Sequence, residues 1–323
     1  MSIRILFAAS LLFATGCVGA EPGPTLADLD TAGTSGEEKW LLVFDYGEEF
    51  GRLFGPDLAE ARRRADALEP ETRLTFYNGM AHTARWDVED VDAQVEAIKL
   101  AVAEEHWPAL FIGLFIRYTI TNDSAPERVV PFAERLSEVV GIPPYDGVRI
   151  GVQRGSGDDM PAALAIAARY PDAYQPGIYE ELGWRVGDDG GLVDPELVAA
   201  LLSGVAAAHH SSFIHGACRA SWRFGDPWDQ YNAIFGRISR EARDACLNAI
   251  GFTIAQQRPD PSLDLAPVLE GLADRRWYGA VENTFRRSVQ QGHSWFAPDL
   301  VDYHGADGRG ADAPPPPAPP PQQ

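Results

Sequence analysis

Along residues 39–292 the apolar positions fall into two alternating kinds of segment. One kind is built around a glycine, as in "FIGLFIRY", "YDGVRIGV" and "HGACRASW". The other has apolar residues three and four apart and ends in small or charged residues. Its members include 88–105 "VEDVDAQVEAIKLAVAEE", 125–140 "APERVVPFAERLSEVV", 194–208 "DPELVAALLSGVAAA" and 262–274 "SLDLAPVLEGLAD". Spacing of three and four residues places these apolar side chains on one face of a helix and does not fit the two-residue alternation of a strand. Both kinds of segment are therefore predicted to be helices.

The glycines themselves are regular. Gly47, Gly79, Gly113, Gly147, Gly183, Gly216, Gly251 and Gly279 recur at intervals of 28 to 36 residues. The residue four places on is small in six of the eight copies, Arg117 and Asn283 being the exceptions. Small residues at i and i+4 share a helix face and let another backbone come close. A glycine inside a helix costs about 1 kcal/mol relative to alanine, so its recurrence signals a packing demand. Between the two kinds of segment stand helix-start residues: Asp87, Asn122 with Ser124, Asp158, Asp194-Pro195, Asp226-Pro227 and Asp260-Pro261. Asp, Asn and Ser supply side-chain acceptors for the first free N–H groups, and Pro tolerates the first turn. The expected fold is an all-α solenoid of about seven helical hairpins of roughly 34 residues with a right-handed superhelix, since one hairpin cannot bury its apolar face alone.

The period and the mid-helix glycine resemble the tetratricopeptide class. That class's later alanine and proline positions are not reproduced: Val91, Ala125, Asp159 and Pro195 stand twelve residues after the glycines. Two stretches, "GIYEELGW" (177–184) and "HGACRASWRF" (215–224), resemble segments of an uncharacterised bacterial family found among enediyne-biosynthesis proteins, a resemblance that implies no known reaction.

The ends read differently from the middle. "MSIRILFAASLLFATGC" has one basic residue and then a short apolar run, the pattern of a signal peptide. "ATGC" resembles a bacterial lipobox, with Cys17 as the lipidated residue, although Ala14 stands where that pattern prefers Leu; cleavage after "VGA" is the alternative. Residues 18–38 form an acidic linker and 293–323 a proline-rich tail ending "DAPPPPAPPPQQ", expected to be extended. The expected address is the periplasmic face of a bacterial membrane by a lipid anchor, or a soluble exported form. The 47 acidic against 27 basic residues, a net charge of −20, disfavour nucleic acid as a partner.

Candidate chemistry is sparse. No nucleophile elbow, phosphate loop or zincin motif is present. His209, His210 and His215 are candidate metal ligands, but their spacing does not place them together on one helix face, and the oxygen-rich stretches 187–196 and 302–312 do not match an EF-hand loop. No metal or cofactor is expected. Aligning Gly216 with Gly251 offsets Cys218 and Cys246 by seven residues, about 10 Å along a helix, so two buried thiols are expected in preference to a disulfide. Aromatic and arginine side chains near the glycines supply a candidate groove: Trp86, Arg117, Tyr118, Tyr145, Arg149, Tyr179, Trp184, Arg219 and Trp222. The expected function is non-enzymatic binding of a protein or peptide in that groove. The alternative is an enzyme or biosynthetic accessory factor with a pocket enclosed by the hairpins.

Overall fold

The structure is a computed structural model that describes residues 36–157, 159–188, 194–222, 228–258 and 260–290. Cys17 and the signal-like segment, nearly all of the linker, Asp158, Asp226-Pro227 and the proline-rich tail lie outside the described residues. Among the described residues the secondary structure is entirely helical, with fourteen α-helices. Eight of them carry the glycines: α1 Gly36–Phe54, α3 Arg73–Thr83, α5 Trp107–Thr121, α7 Tyr145–Gly155, α9 Gln175–Asp188, α11 His210–Ser221, α13 Arg240–Gln257 and α14 Tyr278–Gln290. Six shorter or glycine-free helices connect them: α2 Leu58–Asp66, α4 Val91–Ala101, α6 Pro126–Val140, α8 Met160–Ala167, α10 Pro195–Leu202 and α12 Trp228–Phe235.

The helix starts use the expected chemistry at partly shifted positions. Asp194 accepts from the N–H groups of Glu196 and Leu197, Asp90 caps α4, and Asp159 caps α8. Asp87 instead makes a turn with the Glu89 N–H, three residues before the α4 cap. Residues 262–274, expected as a seventh connecting helix, form turns. Pro267 has no N–H to give, and the Asp260 and Asp264 carboxylates take the N–H groups of Ser262 and Ala266. The segment is held from α12, where Trp228 Nε1 donates to the Val268 carbonyl at 2.9 Å and Asn232 bonds Gly271 and Ala273.

Each glycine-bearing helix packs on the one before it and the one after it in chain order. The core lies between this row and the connecting helices and includes Phe76, Leu110, Leu114, Leu182, Phe213 and Leu247, all within 0% exposure. The glycines set how close the row can pack. A Cβ on Gly183 would strike the Phe213 carbonyl, and one on Gly216 the Glu180 carbonyl, so α9 and α11 present glycines to each other. Gly47 and Gly79 do the same between α1 and α3, each facing the carbonyl three residues before the other's glycine. The remaining contacts are one-sided: Gly113 faces back to Ala81, Gly147 back to Phe115, and Gly251 forward to Val281.

This directionality corrects the expected free thiols. Cys218 and Cys246 form a disulfide with Cα atoms 5.4 Å apart. Gly216 faces back to α9 and Gly251 faces forward to α14, so the two glycines are not a level pair and their alignment does not give the α11–α13 register.

The row also curls. Arg154 on α7 donates from Nη1 to the His82 carbonyl on α3 at 2.9 Å, across the intervening α5. Two helix-to-helix steps in a flat row would span roughly 16–20 Å, beyond the reach of one arginine. The side carrying this bond is the inner face.

Two stability outcomes follow from the seams. Gly216→Ala should cost about 1–3 kcal/mol or more by overpacking, whereas Gly279→Ala, whose added Cβ meets nothing, should gain up to about 1 kcal/mol. Chemical denaturation of both variants decides this, and equal effects would contradict the seam assignment. Replacing both cysteines by serine opens a loop with 28-residue separation and should cost about 3–4 kcal/mol, measured under the same conditions.

Candidate functional site, a charged inner face

A strip of charged and aromatic side chains runs along the inner face. At its first end the His82 ring meets Phe44 edge to face with centroids 5.5 Å apart, and Arg154 Nη2 lies 3.3 Å from His82 Nδ1. Burial, then the charge of Arg154, pushes the His82 imidazole down to about 3. Glu48 of α1 also senses Arg154, although burial is the larger influence and holds its carboxyl above the ordinary range. Asp45, one turn earlier, is raised by burial as well.

In the middle of the strip Arg149 of α7 is held between helices. Its Nε donates to Asp146 at 3.1 Å, and its Nη1 is ion-paired with Glu181 of α9 at 3.1 Å. Beyond it, Glu180 Oε1 lies 3.2 Å from His215 Nδ1 and 3.4 Å from Arg219 Nη1, both on α11. The Arg219 guanidinium is sandwiched between rings, 5.2 Å from the Trp184 centroid and 5.0 Å from that of Phe252 on α13. Stacking on two aromatic faces suits the planar, weakly hydrated guanidinium.

Burial alone would raise Glu180. The nearby positive charge and hydrogen bond of His215, followed by Arg219 and Arg149, outweigh it and bring the carboxyl to about 2. The side chains of Asp146, Glu180, Glu181 and His215 keep 16–19% of their area exposed, whereas Arg149 and Arg219 between them are buried, so solvent reaches the strip through its carboxylates and His215.

Of the groove candidates, Arg149, Trp184 and Arg219 belong to this strip. Trp86 is buried, with Nε1 donating to the Ala81 carbonyl at 3.2 Å. Tyr118 stacks on Phe132 with centroids 3.4 Å apart, Tyr179 is fully buried against His209, and Trp222 packs on Trp228 and Tyr231. Tyr145 is 46% exposed beside Tyr174, and Arg117 is half-buried with an Nε that no acceptor meets. The three candidate histidines are spent separately: His209 on Tyr179, His210 on the Val205 carbonyl, His215 on Glu180. Among the described residues no three His, Cys, Asp or Glu side chains gather as a metal would require.

The sequence reading missed Phe44, Glu48, His82, Asp146, Arg154, Glu180, Glu181 and Phe252 as members of one face. A signal was available at the position directly after each glycine. It is part-exposed on the strip as Glu48, Trp184 and Phe252, and fully buried as Met80, Leu114, Val148 and Ala217. The first three follow glycines that face forward along the row, the other four glycines that face backward.

Fold and site together describe an all-helical protein with a curled row of long helices and an ion-paired, aromatic inner face. The chain matches no family model, no curated protein and no solved structure.

Glu180 and His82, the two lowered groups of the strip, give a pH dependence of the same sign, opposite to that of the raised Glu48 and Asp45. Glu180 holds its proton less firmly folded than unfolded, so its stabilising contribution is complete above about pH 4.5 and disappears as pH falls toward 2. His82 also resists protonation in the fold, so stability declines as pH drops from 6.5 through about 3. Urea midpoints across this range should fall on acidification. His82→Gln should flatten the upper part of the slope and Glu180→Gln the lower part; unchanged slopes in both variants would refute the assignment.

Proposed function

We propose that this is an exported, lipid-anchored α/α solenoid, of tetratricopeptide-like kind, that binds a protein or peptide segment along its inner face without transforming it. The observation that carries this reading is the strip itself, which spans α1 to α13 with aromatic rings and partly exposed carboxylates. Such a strip offers many shallow contacts to an extended chain, as concave helical-repeat surfaces do. The buried Cys218–Cys246 bridge supports the export part, because disulfides persist in oxidising compartments.

Two features favour binding over catalysis. Asp146 and Glu181, the carboxylates contributed by different long helices, both grip one guanidinium. Glu180 is held near 2 and stays ionised, which suits a fixed acceptor and not a proton donor at neutral pH.

The test is affinity capture from envelope extract with the full chain, comparing Trp184→Ala and Glu180→Ala with Leu197→Ala, a side chain 44% exposed on α10. One defined polypeptide should be retained by the parent and by Leu197→Ala, and lost from both inner-face variants. Retention by all four forms would remove the inner face from the function. Separately, metabolic labelling with a fatty-acid probe should mark the parent and not Cys17→Ser; no label on the parent would contradict the anchor.

A further inference from the structure

Seven seams join the eight glycine-bearing helices in chain order, and six of them are closed by backbone approach or by a covalent bond. Glycines close α1–α3, α3–α5, α5–α7, α9–α11 and α13–α14, and the disulfide closes α11–α13. The α7–α9 seam differs. Gly147 and Gly151 face back to α5, Gly183 and Gly187 face forward to α11, and Gly177 meets only the Arg149 stem at an ordinary 3.4 Å.

Among the described residues the polar contacts that cross this seam are made by a reciprocal pair of arginines, beside core residues such as Val148 on α7 and Ile178 on α9. From α7, Arg149 reaches Glu181 of α9 while also bonding Asp146 on its own helix. From α9, Arg185 donates to the Gln153 carbonyl in the last turn of α7 at 3.4 Å and to the Gly157 carbonyl just beyond it. On either side stand well-tied halves. The first is drawn together by the contact of Arg154 with His82 and by the facing glycines of α1 and α3. The second is held by the facing glycines of α9 and α11 and by the Cys218–Cys246 bridge.

We propose that the α7–α9 seam is a hinge at which the two halves of the helical row rotate, widening or narrowing the inner face. Backbone packing against a glycine is steep in distance: a small separation forfeits the dispersion contact. Ion pairs through long side chains fall off slowly and follow a change of angle by rotamer adjustment. Motion therefore concentrates where arginines, and not glycines, join the helices. On the outer side α8 packs against both α7 and α9 and supplies the pivot, and Gly157, with φ of 54°, begins the connection to it. Domain closures use few residues at such joints. This inference does not depend on what the inner face binds.

Double electron–electron resonance on the full chain tests it, with spin labels on genetically encoded ketone residues so that the native disulfide is kept. The pair Arg135 on α6 and Ala199 on α10 crosses the seam, and the pair Glu96 on α4 and Arg135 stays within the first half; all three sites are exposed. The cross-seam distance distribution should be broader than the within-half one. Arg149→Met, which keeps an apolar stem but leaves Asp146 and Glu181 without that shared charge, should shift and broaden the cross-seam distribution alone. Glu181→Gln keeps shape and should act in the same direction, which covers the case in which Arg149→Met fails to fold. A cross-seam distribution as narrow as the within-half one in parent and variants would overturn the hinge. Equal broadening of both pairs would also overturn it, since the loosening would then be general.

Discussion

The structure depends on how closely the backbones of successive long helices approach each other. Where Gly183 meets Phe213 and Gly216 meets Glu180, the facing surface is carbonyl and Cα, and no side chain could be inserted. Each such glycine weakens its own helix by about 1 kcal/mol. The loss is offset only if the neighbour occupies the space, and so the same residue type recurs wherever two long helices must touch. The apolar residues then fill the layer between the row and the connecting helices, and the charged and aromatic ones are left to the inner face.

A second consequence concerns direction. A glycine can face the helix before it or the helix after it, and the choice rotates the whole helix about its axis. Gly183 faces forward and sends Trp184 to the inner face; Gly216 faces backward and sends Ala217 into the core. One position in the repeat thus has two environments, and Arg219 and His215 reach the inner face from a different part of α11 than Trp184 and Glu180 do from α9. The resulting contacts link four consecutive long helices through Arg149, Glu181, Glu180, Arg219 and Phe252.

This explains which features were legible in the chain. The all-helical class, the eight glycine-bearing helices and most of the connecting helices follow from periodicity and caps, which are local properties. The turn at 262–274 shows a limit of that local reading. Its apolar spacing is helical, but Pro267 and the carboxylates of Asp260 and Asp264 take over its backbone groups. The site was half legible. Arg149, Trp184 and Arg219 stood out as residue types, but their partners Asp146, Glu180, Glu181 and Phe252 are assigned only once the facing of each glycine is known. The disulfide was misread for the same reason, because a register was taken from Gly216 and Gly251, which face opposite ways.

The curl of the row brings distant helices to a common face, and the bond from Arg154 to His82 is its most direct expression. Cross-linking across that chord is the decisive measurement. With Cys17 replaced by serine, His82→Cys and Gln153→Cys, which keep both Arg154 and the residue-82 carbonyl it bonds, can be treated with a short bismaleimide and the product read by peptide mass spectrometry. A curled row predicts an efficient link between positions 82 and 153. Absence of the 82–153 link in folded protein would contradict the curled arrangement and, with it, the inner face.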